Sequence, residues 1–170
     1  SFNAVLSQRY YSPSKFLRKL DQVLTPYAQS SRQNCALSYV EFDNYQLNIA
    51  NAGGVPPYIR RKNGGVEWPE VNGFALGQGL GDKGYEHVSV PVSAGDLVIL
   101  TSDGLIETKN EVGVMFGFDR FKEAIARGPT DDAQSLLDHL LNEISMFATE
   151  LDLDDDLVLV VGQVKGWLVD

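Results

Sequence analysis

Thr101-Ser102-Asp103-Gly104-Leu105-Ile106-Glu107-Thr108 is the stretch around which the chain is organised, and it directly follows the apolar run 97–100. Four consecutive apolar residues are typical of a strand that is covered on both faces. Gly104 allows the chain to turn sharply after Asp103. The sequence therefore predicts a carboxylate held at the carboxyl end of a buried strand.

A second acidic stretch has the opposite order. Asp152, Asp154, Asp155 and Asp156 precede the apolar run 157–161, which we predict to be another strand that is apolar on both faces. If the two strands pair antiparallel, the end of the first lies beside the start of the second. Asp103 and the acids at 154–156 would then meet at one edge of the sheet.

Carboxylates that lie close together require a counter-charge. Neither acidic stretch contains Lys, Arg or His, and neighbouring carboxylates raise each other's pKa or bind a cation. Oxygen ligands suit Mg²⁺, Mn²⁺ or Ca²⁺, whereas zinc sites are rich in Cys and His. The alternative interpretation is that these acids are only solvated caps of strands.

Composition and charge narrow the class of protein. The 170 residues suit one domain, and 23 acidic against 14 basic residues give a net charge of −9, which argues against nucleic acid as a partner. No run approaches the ~18 apolar residues of a membrane span, so we expect a soluble domain without membrane contact. Cys35 is the only cysteine. A single thiol excludes an internal disulfide and fits the cytoplasm, and we expect it to be buried.

Capping and turn signals outline the first half of the chain. Ser12 as N-cap and Pro13 at the first helical position predict a helix. The runs 35–42 and 45–51 predict two strands joined by a two-residue turn at Asp43-Asn44. The loop 51–57 contains paired glycines and prolines and cannot be a regular central strand. It leads to a short predicted strand at 58–60.

The glycine-rich segment 77–84 has the spacing of a dinucleotide-binding loop. Such a loop must open a helix, whereas the next element here is the strand pattern 87–92. We therefore reject a nucleotide site and interpret the segment as a mobile flap, with an ordinary surface loop as the alternative. His87 is expected on the surface of an edge strand.

Two further helices are predicted in the second half. The first is short and covers 119–126, and the second is long and is capped by Thr130-Asp131-Asp132. Its leucines and other apolar residues form one stripe. Because strands outnumber helices and each long helix has one apolar face, we expect helices to cover the outside of packed antiparallel sheets.

Five motifs follow one another along nearly the whole chain. They are Asn51-Ala52-Gly53-Gly54-Val55-Pro56-Pro57, Ala94-Gly95-Asp96, Thr101-Ser102-Asp103-Gly104-Leu105-Ile106-Glu107, Phe116-Gly117 and Asp155-Asp156-Leu157. Together they resemble the metal-dependent protein phosphatases (PPM family), in particular the branch of stage II sporulation protein E and the sigma-factor regulators. The resemblance implies an α+β fold, a four-layer αββα sandwich of two antiparallel sheets flanked by helices.

The same resemblance implies a metal site and a reaction. In this family two Mn²⁺ or Mg²⁺ ions activate a water that attacks phosphoserine or phosphothreonine in line, without a covalent intermediate. Asp103 and Asp155 correspond to metal ligands, and Asp156 occupies the usually polar position beside Asp155. We expect the carboxylates of Asp103 and Asp155 to lie about 4–7 Å apart, since both must reach one cation.

Three departures from the family pattern have consequences. The first acidic motif of the family does not occur in residues 1–170, so we expect a single domain that is incomplete at its amino terminus, lacks its first strands and is weak or inactive alone. Gly54 stands where the branch often has His, and Val158 where it often has Thr. Strand edges left unpaired attract other chains, which makes a homodimer the expected assembly.

The resemblance implies that the complete domain dephosphorylates a phosphorylated regulatory protein, such as an anti-sigma-factor antagonist. The alternative is a non-catalytic regulatory or interaction domain with a degenerate phosphatase fold. Retention of Asp103 and Asp155 favours the phosphatase, because a non-catalytic module has no need of acids at both strand ends.

Overall fold

A computed structural model of the chain describes residues 12–80, 84–148 and 156–166. In chain order the elements are α1 (Pro13–Ser31), β1 (Leu37–Asp43), β2 (Gln46–Ala52), β3 (Tyr58–Arg60), β4 (Val66–Glu67), β5 (His87–Pro91), β6 (Leu97–Thr101), α2 (Asp103–Glu107), α3 (Gly117–Arg127), α4 (Ala133–Phe147) and β7 (Leu159–Gln163). They belong to two compact units. Unit 1 comprises Ser1–Pro56 and Pro69–Pro91, and unit 2 comprises Pro57–Trp68 and Val92–Asp170. The single-domain interpretation stays a prediction.

The sheet of unit 1 has the strand order β1-β2-β5, and both pairs of neighbours are antiparallel. Asp43 lies opposite Gln46, so the hairpin turn consists of Asn44 and Tyr45. Both turn residues have positive φ, 46° and 61°, as a tight two-residue hairpin of this type requires. The predicted turn at Asp43-Asn44 was therefore wrong by one residue.

Helix α1 supplies the apolar core of unit 1. It begins at Pro13 with Ser12 as N-cap, as predicted. Leu17 and Leu20 pack with residues of β2 and of the following loops; the buried members of this cluster are Leu17, Leu20, Ala50, Ala52, Leu76 and Tyr85. The stripe of apolar residues on α1 thus covers the central strand of the sheet.

The segment 77–84, interpreted above as a flap, is anchored at its first residue. The backbone N–H of Gly77 donates to Oδ1 of the buried Asp21 at 2.7 Å. A side chain at Gly77 would place its Cβ 2.3 Å from the Cβ of Ala28, so only glycine fits against α1. Residues 81–83 of the segment lie outside the described residues, and its mobility stays a prediction.

The sequence led to opposite expectations for the exposure of His87 and Cys35 in unit 1. His87 is exposed on the edge strand β5, as predicted, with Nδ1 3.1 Å from Ser14 Oγ. The prediction of a buried thiol was wrong, because Cys35 is exposed. Its backbone pairs with Leu76 in an isolated bridge, and β1 begins only at Leu37. The bridge holds the main chain in place without covering the side chain.

The sheet of unit 2 has the strand order β4-β3-β6-β7, again fully antiparallel. Leu97, Val98 and Ile99 are buried in the interior strand β6, as predicted. Strand β7 begins at Leu159, and its residues alternate between half-buried and exposed, with Val160 50% exposed. The prediction of a doubly covered strand at 157–161 was therefore wrong. Helix α4 packs against β7, and only one face of this terminal strand is covered by the described residues.

Helices α3 and α4 are held by polar groups at their ends. The buried Arg60 of β3 donates through Nη1 to the carbonyl of Ile125 and through Nη2 to that of Gly128, the second at 2.8 Å, which satisfies carbonyls at the end of α3. Asp132 is the N-cap of α4 and accepts from the backbone N–H of Ser135 at 2.8 Å. The predicted cap is confirmed. The predicted short helix corresponds to α3, which begins two residues earlier.

None of the helices in the described part of the chain combines the length and the apolar character that a membrane span requires.

Candidate functional site

The carboxyl end of β6 carries the residue that the sequence singled out. The strand ends at Thr101, Ser102 has an extended backbone (φ −80°, ψ 165°), and Asp103 is the first residue of the single-turn helix α2. The sequence predicted a sharp turn at Gly104, and the structure forms one turn of helix instead. Asp103 is exposed, and its Oδ1 accepts from the N–H of Gly104 at 3.1 Å. The carboxylate thus stands on a rigid element and faces solvent.

The register of β6 and β7 brings Asp156, the last residue of the second acidic stretch, to the same place. Thr101 lies opposite Leu159, so the residues after β6 lie beside those before β7, as the predicted antiparallel pairing requires. The Thr101 hydroxyl donates to the carbonyl of Val158 at 3.0 Å. Asp156, immediately after the predicted ligand Asp155, is therefore next to the turn that bears Asp103.

Ser102 makes the direct connection between the two stretches. Its backbone N–H donates to the carbonyl of Val158 at 3.1 Å. Its hydroxyl donates to the carbonyl of Asp156 at 2.9 Å and accepts from the N–H of Val158 at 3.0 Å. The sequence patterns alone did not point to Ser102. The available signal was a hydroxyl residue at the N-cap position directly before Asp103.

The oxygen atoms assembled here fit a hard divalent cation in type. They are the carboxylate oxygens of Asp103, and Mg²⁺ and Mn²⁺ prefer oxygen ligands. Within residues 12–80, 84–148 and 156–166, Asp103 forms no ion pair, and no three acidic, His or Cys side chains are grouped so as to hold a metal. Asp155 lies outside the described residues. Its predicted separation from Asp103 stays a prediction.

The acid of the Ala94-Gly95-Asp96 motif has a different environment. Asp96 is buried and accepts three hydrogen bonds, from the backbone N–H groups of Lys62 (2.9 Å) and Ser93 (3.0 Å) and from Nη1 of Arg61 (2.9 Å). Burial alone would raise the pKa of Asp96, but these donors outweigh it and hold the pKa below its ordinary value. Asp96 is therefore a structural carboxylate that holds the connection before β6.

The Asn51 motif closes a loop through its side chain. Asn51 Nδ2 donates to the carbonyl of Gly54 at 2.9 Å, and the N–H of Gly54 donates back to Asn51 Oδ1 at 3.0 Å. A Cβ at Gly54 would lie 3.2 Å from the backbone of Leu37 and Ser38. Gly54 therefore packs tightly against β1, and a larger residue here would require a local shift. The predicted loop 51–57 is confirmed only in part, because Asn51 and Ala52 belong to the central strand β2.

The Phe116-Gly117 motif forms the entry to α3. Phe116 is buried, and its N–H donates to the carbonyl of Thr108 at 2.8 Å. Gly117 has φ 79°, a left-handed conformation that favours glycine, and it is the first residue of the helix. This motif supports the packing of unit 2.

Comparison with known proteins identifies relatives for the chain. The family model of stage II sporulation protein E (SpoIIE) matches residues 2–165. Phosphoserine phosphatase RsbU of Bacillus subtilis is 26% identical over 152 residues, a match that covers 88% of this chain and 44% of RsbU. The chain thus spans less than half the length of this curated relative.

Solved structures agree with the fold. The SiaA-PP2C domain of Pseudomonas aeruginosa matches with a TM-score of 0.80 and 20% identity over 96% of this chain and 65% of that chain. The Mn-presoaked phosphatase domain of SpoIIE from Bacillus subtilis matches with a TM-score of 0.66 and 21% identity over 97% of this chain and 70% of that chain. The predicted α+β fold of two antiparallel sheets with helices, as in the PPM phosphatases, is confirmed.

Proposed function

Because this chain belongs to the stage II sporulation protein E (SpoIIE) family, we propose that it is part of a metal-dependent protein phosphatase that acts on phosphoserine or phosphothreonine. The similarity to a phosphoserine phosphatase, RsbU, supports the reaction. The site residues of the proposal are Asp103 and Asp155 as ligands of Mn²⁺ or Mg²⁺. A structure of the SpoIIE phosphatase domain presoaked with Mn supports the choice of metal.

One observation carries the proposal at the level of residues. Ser102 joins the Asp103 turn to Asp156 through its hydroxyl, at 2.9 Å from the carbonyl. Asp103 directly follows Ser102 in the chain, and Asp155 directly precedes Asp156. Each proposed ligand is therefore the sequence neighbour of a residue in this hydrogen bond. The hydrogen bond holds Asp156 beside the turn that bears Asp103, which supports a cation shared by acids of the two stretches.

The chain's own groups have limited and definite roles in this reaction. When bound, Mn²⁺ or Mg²⁺ supplies Lewis acidity toward the phosphoryl oxygens and an activated water as nucleophile. Asp103 holds its carboxylate at the start of α2, two residues after β6, where it is exposed and open to a cation. The N–H of Gly104 donates to Oδ1 of this carboxylate at 3.1 Å and orients it. No covalent intermediate on the protein is part of the proposal.

The proposed substrate is a phosphorylated regulatory protein in the cytoplasm, of the anti-sigma-factor-antagonist type. The family membership and the similarity to RsbU support this class of partner. The net charge of −9 disfavours nucleic acid as an alternative partner.

The proposed assembly is a homodimer. Strand β7 ends the sheet of unit 2, and no described strand pairs with its outer edge, beside which Val158 and Val160 are about half exposed. Pairing of two such edges would cover this surface. Sedimentation of residues 1–170 at high concentration should show a dimer or a larger species, and a stable monomer would contradict the proposed assembly.

Phosphate release from short phosphopeptides tests the reaction. The full-length natural protein that contains this chain should release phosphate from phosphoserine and phosphothreonine peptides with Mn²⁺ or Mg²⁺, and a phosphotyrosine peptide serves as the control. Excess chelator should abolish release, because the proposed nucleophile depends on the cation. Full activity in chelator would contradict the mechanism. Absence of release with either metal would instead support the non-catalytic alternative.

A further inference from the structure

We propose that Ser102 is a positioning residue for the divalent cation, because its hydroxyl holds the start of β7 against the turn that bears Asp103. The inference rests on the proposed function and deepens it. Ser102 itself is not assigned as a ligand. It is assigned the placement of Asp156 and Val158 relative to the turn that bears Asp103.

The hydrogen bonds of Ser102 lie where the regular pairing of the sheet has ended. The ladder between β6 and β7 runs from Leu97–Gln163 to Thr101–Leu159. Beyond it, the Ser102 hydroxyl binds both Asp156 and Val158, as donor at 2.9 Å and acceptor at 3.0 Å. The Ser102 side chain therefore extends the contact between the two segments beyond β6 and β7, as far as Asp156.

The Ser102 hydroxyl does not cap α2, although Ser102 occupies the N-cap position. A serine at an N-cap usually accepts a hydrogen bond from the second or third N–H of its own helix. Ser102 is the N-cap of α2 but makes no such bond. Its hydroxyl is directed instead to residues 54 and 56 positions further along the chain. The residue therefore serves the contact between segments rather than the start of α2.

Loss of this hydroxyl should affect cation binding more than folding. Ser102 and Asp156 are not fully buried, so water can replace the lost partners at little cost to stability. The backbone bond from Ser102 N–H to the Val158 carbonyl also remains. This hydroxyl would, however, no longer hold Asp156 against the turn that bears Asp103, and groups that orient metal ligands contribute roughly 10- to 100-fold to metal affinity.

Three variants of the full-length protein test the proposal. Ser102→Ala removes the hydroxyl, and Ser102→Thr retains it. Ser135→Ala is the matched control, since it also removes a serine hydroxyl hydrogen bond in unit 2, to Asp132 Oδ2 at 2.8 Å, but at the start of α4. Titration calorimetry with MnCl₂ measures affinity, thermal unfolding in chelator measures stability without metal, and phosphopeptide turnover is recorded across Mn²⁺ concentrations.

We expect Ser102→Ala to bind Mn²⁺ about 10-fold more weakly, with near wild-type turnover at saturating Mn²⁺ and an unfolding temperature close to that of Ser135→Ala. Ser102→Thr should retain most of the affinity, and Ser135→Ala should bind Mn²⁺ like the wild type. Equal Mn²⁺ affinity of Ser102→Ala and wild type would overturn the positioning role while leaving the proposed function intact. A loss of affinity in Ser135→Ala as large as in Ser102→Ala would also overturn it. A wild-type protein that binds no Mn²⁺ and releases no phosphate would overturn both.

Discussion

The two ends of β6 carry acids that differ in burial and in hydrogen bonding. Asp96, directly before the strand, is buried, and its carboxylate accepts hydrogen bonds from Lys62, Ser93 and Arg61. Asp103, two residues after the strand, is exposed, and its hydrogen bond within the described residues comes from the adjacent Gly104. One carboxylate is saturated by the protein, and the other is left available to a ligand.

This difference separates a structural acid from the acid that we propose as a metal ligand. A buried carboxylate is tolerated only when donors compensate for its lost hydration, and Asp96 has such donors on both oxygens. A metal ligand needs the reverse, namely oxygens that the protein leaves open at a rigid position. The contrast makes opposite predictions for the same Asp→Asn substitution at the two ends of the strand.

The largest effect is expected from Asp103→Asn on activity. We expect phosphopeptide turnover of the full-length protein to fall at least about 100-fold, since an amide neither carries the charge nor binds the cation as a carboxylate does. Stability should change by no more than about 0.5 kcal/mol, because the side chain is exposed. Asp138→Asn, at an exposed position of α4, is the matched control and should retain full turnover. Unchanged turnover of Asp103→Asn would remove Asp103 from the site.

Asp96→Asn should have the second-largest effect, and on stability. We expect a loss of about 3 kcal/mol in the free energy of unfolding, because the substitution leaves Arg61 without its buried counter-charge and turns an amide toward N–H donors. Urea unfolding of Asp96→Asn and Asp138→Asn, followed by circular dichroism, measures the difference. If Asp96→Asn proves as stable as the control, the hydrogen bonds to the Asp96 carboxylate do not stabilise the fold.

Lowering the pH should reduce the stability that Asp96 contributes. The folded-state pKa of Asp96 lies below its unfolded value, so its contribution to stability is complete above the unfolded pKa. That contribution decreases as the pH falls below about 4, toward the folded-state pKa. Between neutral pH and pH 3 the wild type should therefore lose more stability than Asp96→Asn. Parallel curves for the two proteins would show that Asp96 is not the titrating group.

The smallest effect is expected from Glu67→Gln. Glu67 also pairs with Arg61, with Nε to Oε1 at 2.8 Å, but its side chain is 51% exposed whereas that of Asp96 is 5% exposed. Exposed ion pairs contribute about 0.5 kcal/mol and are screened by salt. The loss on urea unfolding should therefore be small and should vanish in 1 M salt, where the Debye length falls to about 3 Å. A loss as large as that of Asp96→Asn would show that Arg61, rather than burial, determines the effect.

Local signals in the sequence predicted several elements well. Proline at the first position set the start of α1, and Asp132 set the start of α4, because capping groups act within one helical turn. The short strand Tyr58–Arg60 was also predicted with its observed bounds. These features depend on residues that are close together in the chain, and they can therefore be predicted without knowledge of the fold.

Errors arose where distant segments decide the outcome. The hairpin turn was misplaced by one residue because the register of β1 and β2 is set by pairing along both strands. Strand β7 was expected to be covered on both faces, but it lies at the end of its sheet and only α4 packs on it among the described elements. An apolar run alone does not reveal whether a strand is interior or terminal.

For the candidate site, the sequence by itself determined that a carboxylate follows the buried strand β6 and that a second acidic stretch precedes another strand. It also carried the motifs of the phosphatase family, since these depend on residue type and order. Only the tertiary structure decided that Ser102 joins the two stretches and that Asp96 is a structural acid. The reason is physical: the hydrogen bonds that assign these roles link residues 54 and 35 positions apart, and such partners are set by strand pairing rather than by local sequence.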